Sequence, residues 1–98
     1  MRANTWMVSR RIDMKGNTTI RTFKTFAECI AQAFKWYDRY GLRWGIRIQH
    51  HIPEANFWAE IRFYYMDAND LKEDYIKYLR GDDGRSPEPR RSVGHSTE

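Results

Sequence analysis

Two runs of strict alternation between Leu42 and Asp67 constrain this chain more than any other feature. Leu42, Trp44, Ile46 and Ile48 alternate with Arg43, Gly45, Arg47 and Gln49. Phe57, Ala59, Ile61, Phe63 and Tyr65 then alternate with Trp58, Glu60, Arg62 and Tyr64. A period of two marks a strand with one buried face. The intervening segment from His51 to Asn56 contains Pro53, which has no amide hydrogen for a ladder and suits a loop. The spacing predicts one long β-hairpin, apolar on one face, with arginines and aromatic rings on the other.

The rest of the chain supplies a second such unit. Trp6 to Met14 reads as a strand in which Trp6, Val8, Ile12 and Met14 share a face, interrupted by Arg10. Lys15-Gly16-Asn17 is a turn signal, because Gly and Asn tolerate positive φ. Thr18 to Phe23 follows as a β-branched strand with Ile20 inward. Thr25-Phe26-Ala27-Glu28 matches a capping box. Phe26, Ile30, Ala33, Phe34 and Tyr37 then recur at helical spacing with Cys29 beside them, and Gly41 stands where a helix ends. After the long hairpin, Asp67 or Asn69 caps a second helix whose stripe is Leu71, Tyr75, Tyr78 and Leu79, ended by Gly81.

The element order is ββαββα, and the fold class expected is α+β. A two-layer sandwich follows, a four-stranded antiparallel sheet with both helices on one face. Trp44, Ile46, Ile48, Phe57, Ala59, Ile61 and Phe63 would lie under the helices; the alternation leaves strand order open. Residues 1–80 form the single domain. Residues 81–98 hold Gly, Ser, Pro and charges of both signs, a composition that cannot bury enough surface to order itself, so a flexible tail is expected. Its Pro87-Glu88-Pro89-Arg90-Arg91 segment reads as solvated.

Bulk properties narrow the function classes. With 98 residues, one cysteine and a net charge of +4, the chain has no internal disulfide, and a reducing, cytoplasmic setting fits it. No apolar run is long enough for a membrane span, and no membrane partner is expected.

No catalytic or metal signature emerges. His50 and His51 are adjacent on a strand and point to opposite faces, so they do not converge on one metal. Cys29 lies on the buried helix stripe, where a thiol is structural rather than nucleophilic. Asp67, Asp70, Glu73 and Asp74 are explained by the dipole of a helix N-terminus. No cofactor is implied.

What stands out is the outer sheet face, on which alternation gathers Arg11, Arg21, Arg43, Arg47 and Arg62 with Trp58 and Tyr64. Arginine and large aromatics are the residues enriched at interface hot spots, and they also pair with phosphates and stack on bases. Against both stands an ordinary solvated face, with Glu60 paired across strands. The reading carried forward is a small non-enzymatic binding or inhibitor protein that docks this face on a protein partner, such as a host nucleic-acid-processing complex, by steric occlusion. The alternatives are an RNA- or single-stranded-DNA-binding module using the same face, and a small metal-free RNase in which His50, Arg47 and Tyr64 would have to meet. An exposed edge strand or the open face is also able to support a homodimer. In size, compactness and lack of catalytic parts the chain is similar in a general way to small phage- or mobile-element-encoded inhibitors of host machines, such as anti-CRISPR or anti-nuclease proteins; no motif carries that similarity, and it transfers no site residue.

Overall fold

A computed structural model describes residues 4–80. The capping box forms as its sequence requires: Glu28 N donates to Thr25 Oγ1 at 3.2 Å and Thr25 N donates to Glu28 Oε1 at 3.1 Å. From it runs helix α1 (Phe26–Tyr40), ended by Gly41, whose N–H donates to Tyr37 O at 2.8 Å. Ahead of α1 lie β1 (Trp6–Arg11) and β2 (Thr18–Phe23); behind it lie β3 (Ile46–Ile52), β4 (Phe57–Tyr64) and α2 (Asn69–Tyr75), which continues as a π-helical stretch over Ile76–Arg80. The strands form one antiparallel sheet in the order β2-β1-β3-β4, and both helices cover the same face. The expected α+β sandwich is the fold observed. Gly81 and the expected tail lie outside the described residues.

The core forms where α1 and α2 meet the sheet. Phe26, Cys29, Ile30, Ala33 and Trp36 of α1 are buried with Trp6, Val8, Ile46, Ile48 and Leu71. Trp36 was absent from the expected stripe. Leu79 was in it but is exposed, and Asp74 takes a buried place on α2 instead.

Two departures from strict alternation decide which side chains face outward. The first is a β-bulge. Ile48 pairs with Arg62 but Gln49 pairs with Glu60, so Ile61 is an extra residue in β4. One extra residue reverses every later side chain. Trp58 and Glu60 keep their expected outer positions. Beyond the bulge, Arg62 and Tyr64 turn under the helices and are buried, while Phe63 turns outward.

The second departure is the first hairpin. Its loop is longer than the turn signal suggested, because the Asp13 carboxylate accepts hydrogen bonds from the Lys15 and Asn17 amides and from Asn17 Nδ2. The hairpin closes at Ile12 N to Asn17 O, 2.8 Å, so Ile12 and Met14 fall outside β1 and are exposed. The register pairs Val8 with Arg21 and Ser9 with Ile20. Ile20 is therefore on the outer face and Arg21 on the helix side, the reverse of expectation.

Arg10 does not break the strand. It shares the helix face with Trp6 and Val8 and lies 3.8 Å from the Tyr40 ring centroid, at the C-terminal end of α1.

The buried Arg62 is matched by a carboxylate. Its Nε donates to Asp74 Oδ2 at 2.9 Å, its Nη1 to the bulge carbonyl of Ile61 at 3.0 Å, and Tyr64 Oη donates to Asp74 Oδ2 at 2.6 Å. Replacing Asp74 with Ala removes the acceptor opposite a buried guanidinium and is expected to cost about 3–5 kcal/mol in chemical denaturation. The double replacement Arg62→Met/Asp74→Leu is expected to cost less than Asp74→Ala alone. An equal or larger loss in the double variant contradicts this account.

Candidate functional site

The outer face survives the two corrections with a changed membership. Arg11, Arg47 and Trp58 lie on it as expected, and Arg43 flanks it from the loop before β3. Arg62 and Tyr64 are lost to the core, and Arg21 to the other side of the sheet. Trp44, Phe63, Tyr65 and Ile20 take their place. Trp44 was expected inward with Leu42. Gly45 between Trp44 and Ile46 has φ 94°, a backbone that interrupts the alternation, so Leu42 is buried while Trp44 opens outward.

These side chains form a shallow cleft of about 330 Å³ lined by Ser9, Arg11, Thr18, Trp44, Arg47 and Phe63. Gly45 is its floor. A Cβ there would stand 2.7 Å from Phe63 Cε1, so the missing side chain is what lets the ring lie down. The walls are held by aromatic and cationic contacts. The Arg11 and Arg43 guanidinium carbons lie 5.8 Å and 4.9 Å from the Trp44 ring centroid, and that of Arg47 is 5.0 Å from Phe63. Phe63 stacks on Tyr65 with centroids 5.8 Å apart and planes 10° apart.

The cations are anchored. Arg47 Nε donates to Glu60 Oε1 at 2.7 Å, the cross-strand pairing expected of Glu60. Arg11 donates from Nε to Asp13 O at 2.9 Å and from Nη2 to Met14 O at 2.6 Å. The hydrogen bond from the Asn17 side chain, aided by backbone amides and opposed by desolvation, holds the Asp13 carboxyl below its usual range. Asp13 thus stays ionised and keeps the loop closed beside the cleft.

Arg21 has a different task. Alternation from the Ile12–Asn17 bond directs the Ile20 and Thr22 carbonyls off the free edge of β2. Arg21 Nη1 donates to Ile20 O at 3.1 Å, and Asn4 Nδ2 lies 3.4 Å from Thr22 O. Covering edge carbonyls in this way discourages a further strand from adding there.

The remaining candidates stay apart. His50 stacks on Trp6 on the helix side, with centroids 4.0 Å apart, and burial, then the neighbouring His51 charge, push its pKa down. His51 faces the other way, with Nε2 3.3 Å from Asn56 Oδ1. Arg47 and His50 are on opposite faces, and the Tyr64 hydroxyl is committed to Asp74, so the set needed for RNA cleavage does not meet. Among the described residues no three potential ligands group for a metal, and no helix is long and apolar enough to cross a membrane.

Comparisons with protein-family models, curated proteins and solved structures find no match to this chain.

Gly45→Ala is expected to lower stability by about 1–2 kcal/mol in thermal unfolding, from a side chain forced into positive φ, and to displace the Phe63 ring resonances. A second expectation concerns Cys29, which is fully buried and whose thiol burial pushes up to about 12, with Glu28 adding to the effect. Iodoacetamide should leave it unmodified in the folded protein and label it completely in denaturant; rapid native labelling contradicts the burial.

Proposed function

We propose that this chain is a non-catalytic binding protein whose outer sheet face docks on a partner protein and acts by occluding the surface it covers. The observation that carries the reading is the composition of that face. Its exposed centre is aromatic, with Phe63 stacked on Tyr65 and Trp44 beside the cleft, and its arginines surround that centre. Apolar rings at the centre with arginine around them match the anatomy of protein interfaces.

The balance of charge favours protein over nucleic acid. Tracking a phosphate backbone takes several cations whose charge is not already matched. Here Glu60 neutralises Arg47, and Arg11 is tied to the carbonyls of a loop that holds the ionised Asp13. Little net positive charge is left for a row of phosphates, whereas a ringed apolar centre remains whole.

The test uses the full chain, tagged and cross-linked in extract of its native cell. Phe63→Ser is expected to reduce recovery of the specific partner at least tenfold, with the thermal midpoint little changed because the ring is exposed. Binding should weaken only modestly between about 50 and 200 mM salt, where a protein making several phosphate contacts loses orders of magnitude. Recovery unaffected by Phe63→Ser refutes the face. Steep salt dependence with a single-stranded oligonucleotide as the bound species replaces the protein reading with the nucleic-acid one.

A further inference from the structure

The corner of the outer face where the 42–45 loop meets the 65–67 turn carries a second, independent peculiarity. Met66 N donates to Leu42 O at 3.0 Å and Asp67 N to Tyr65 O at 2.6 Å, which bends the chain sharply at Met66. Met66 has φ 65°, in the left-handed region that an unbranched but bulky side chain enters only at a cost. Glycine or asparagine would fit there more easily. Yet the methionine side chain is 68% exposed, so no packing in the described core accounts for it. Strain kept at an exposed apolar residue points to a task at the surface. Tyr65 and Phe63, immediately before it, are themselves 53% and 45% exposed.

Charge defines what fits beside this apolar group. The cleft adjoining it is lined by Arg11 and Arg47 and by no carboxylate, and Arg43 lies over its Trp44 wall. Glu60, which holds Arg47 through Nε, is not a lining residue, so the guanidinium edge away from Nε is the part available to a ligand. Two hydroxyls, Ser9 and Thr18, complete the lining. Arginine forks and hydroxyls around one small opening suit a single carboxylate, bound by charge-assisted hydrogen bonds.

The geometry points to an acidic protein segment with one apolar anchor as the occupant of this corner: its anchor packs on Phe63, Tyr65 and Met66, and a neighbouring Asp or Glu side chain enters the cleft between Trp44 and Phe63. This rests on the protein-docking reading of the face and names the chemistry of the segment it receives. Met66 is then the specificity residue, retained in strained backbone because the anchor needs it.

The experiment titrates the full chain, followed by NMR at the Trp44 indole N–H and the Met66 methyl. The probe is a capped peptide of glutamates around one leucine. The same peptide with lysines and an oligothymidylate serve as comparisons. The glutamate peptide is expected to shift both signals saturably. Met66→Gly should weaken it about tenfold, the loss expected for one buried anchor contact, while leaving the thermal midpoint equal or higher. Arg43→Gln should also weaken it, and Arg21→Gln, on the other side of the sheet, should not. Equal shifts with the lysine peptide, stronger shifts with the oligothymidylate, or no shift with any probe each overturn the assignment. So does a Met66→Gly variant that binds as the parent does. If Phe63→Ser abolishes partner recovery while Met66→Gly and Arg43→Gln do not, this corner is wrong and the face still stands. If Phe63→Ser has no effect, the face itself fails.

Discussion

A guanidinium taken out of water demands a carboxylate, and in this protein that demand organises both layers. Arg62 lies in the interior because Ile61 bulges out of the β3–β4 ladder. Its charge is met by Asp74, which occupies a position on the otherwise apolar stripe of α2. Tyr64, one turn of the strand further and on the same face, donates to the same oxygen. The cluster ties the second helix to the edge strand at one register. It also returns a hydrogen bond to the bulge, through Arg62 Nη1 and the Ile61 carbonyl, so the irregularity and its compensation hold each other. Buried ion pairs add little net stability compared with a well-packed apolar substitute, but they discriminate strongly between registers. Slipping β4 by one residue would expose Arg62 and leave Asp74 facing apolar side chains.

The same bulge builds the outer face. A residue count that puts Arg62 and Tyr64 inside puts Phe63 outside. Phe63 can lie flat only because Gly45 has no side chain, and Gly45 in turn lets Trp44 leave the buried parity of Leu42. The cleft is therefore a by-product of two interruptions in regular alternation, one on each strand of the same hairpin. Interior electrostatics and exterior shape are linked through strand register rather than through direct contact.

Much of this was legible in the sequence. The capping box, Gly41, the two hairpins and the two-layer packing all follow from local signals whose physics is local, and α1 begins and ends where those signals stand. What alternation misjudged has a common cause: a period-two pattern assigns faces correctly only until the chain gains or loses one residue. The bulge at Ile61 and the long Asp13–Asn17 loop each do this, and hydrophobicity cannot register either, since Ile, Phe and Tyr read as inward at any parity. Signals for the corrections were present but lay elsewhere. Gly45 within a strand pattern marks an interruption. Asp74 falls three residues after Leu71 and four before Tyr78, on the helix's apolar side, where an acid is costly without a buried cation. Dipole stabilisation accounts for acids in the first turn of α2 but not for one on its buried face. Asp13 ahead of Lys15-Gly16-Asn17 could likewise have signalled an Asx-stabilised loop.

Arginine use shows how far position outweighs residue type. Arg62 sits in the core against Asp74. Arg10 lies against Tyr40 at the helix end, Arg21 covers a carbonyl at the sheet edge, and Arg11 braces a loop. A count of arginines on a chain of net charge +4 suggests a broad basic surface. The geometry distributes them into separate structural duties and leaves a small, aromatic-centred group around Trp44 and Phe63. A nucleic-acid surface would need the opposite arrangement, with cations spread along the face and their partners removed. A face with its charges locally balanced, its free edge at β2 covered and its apolar residues concentrated at one corner is better suited to a compact partner surface than to a long polyanion. That asymmetry within the sheet, more than its overall charge, is what supports the protein-docking reading.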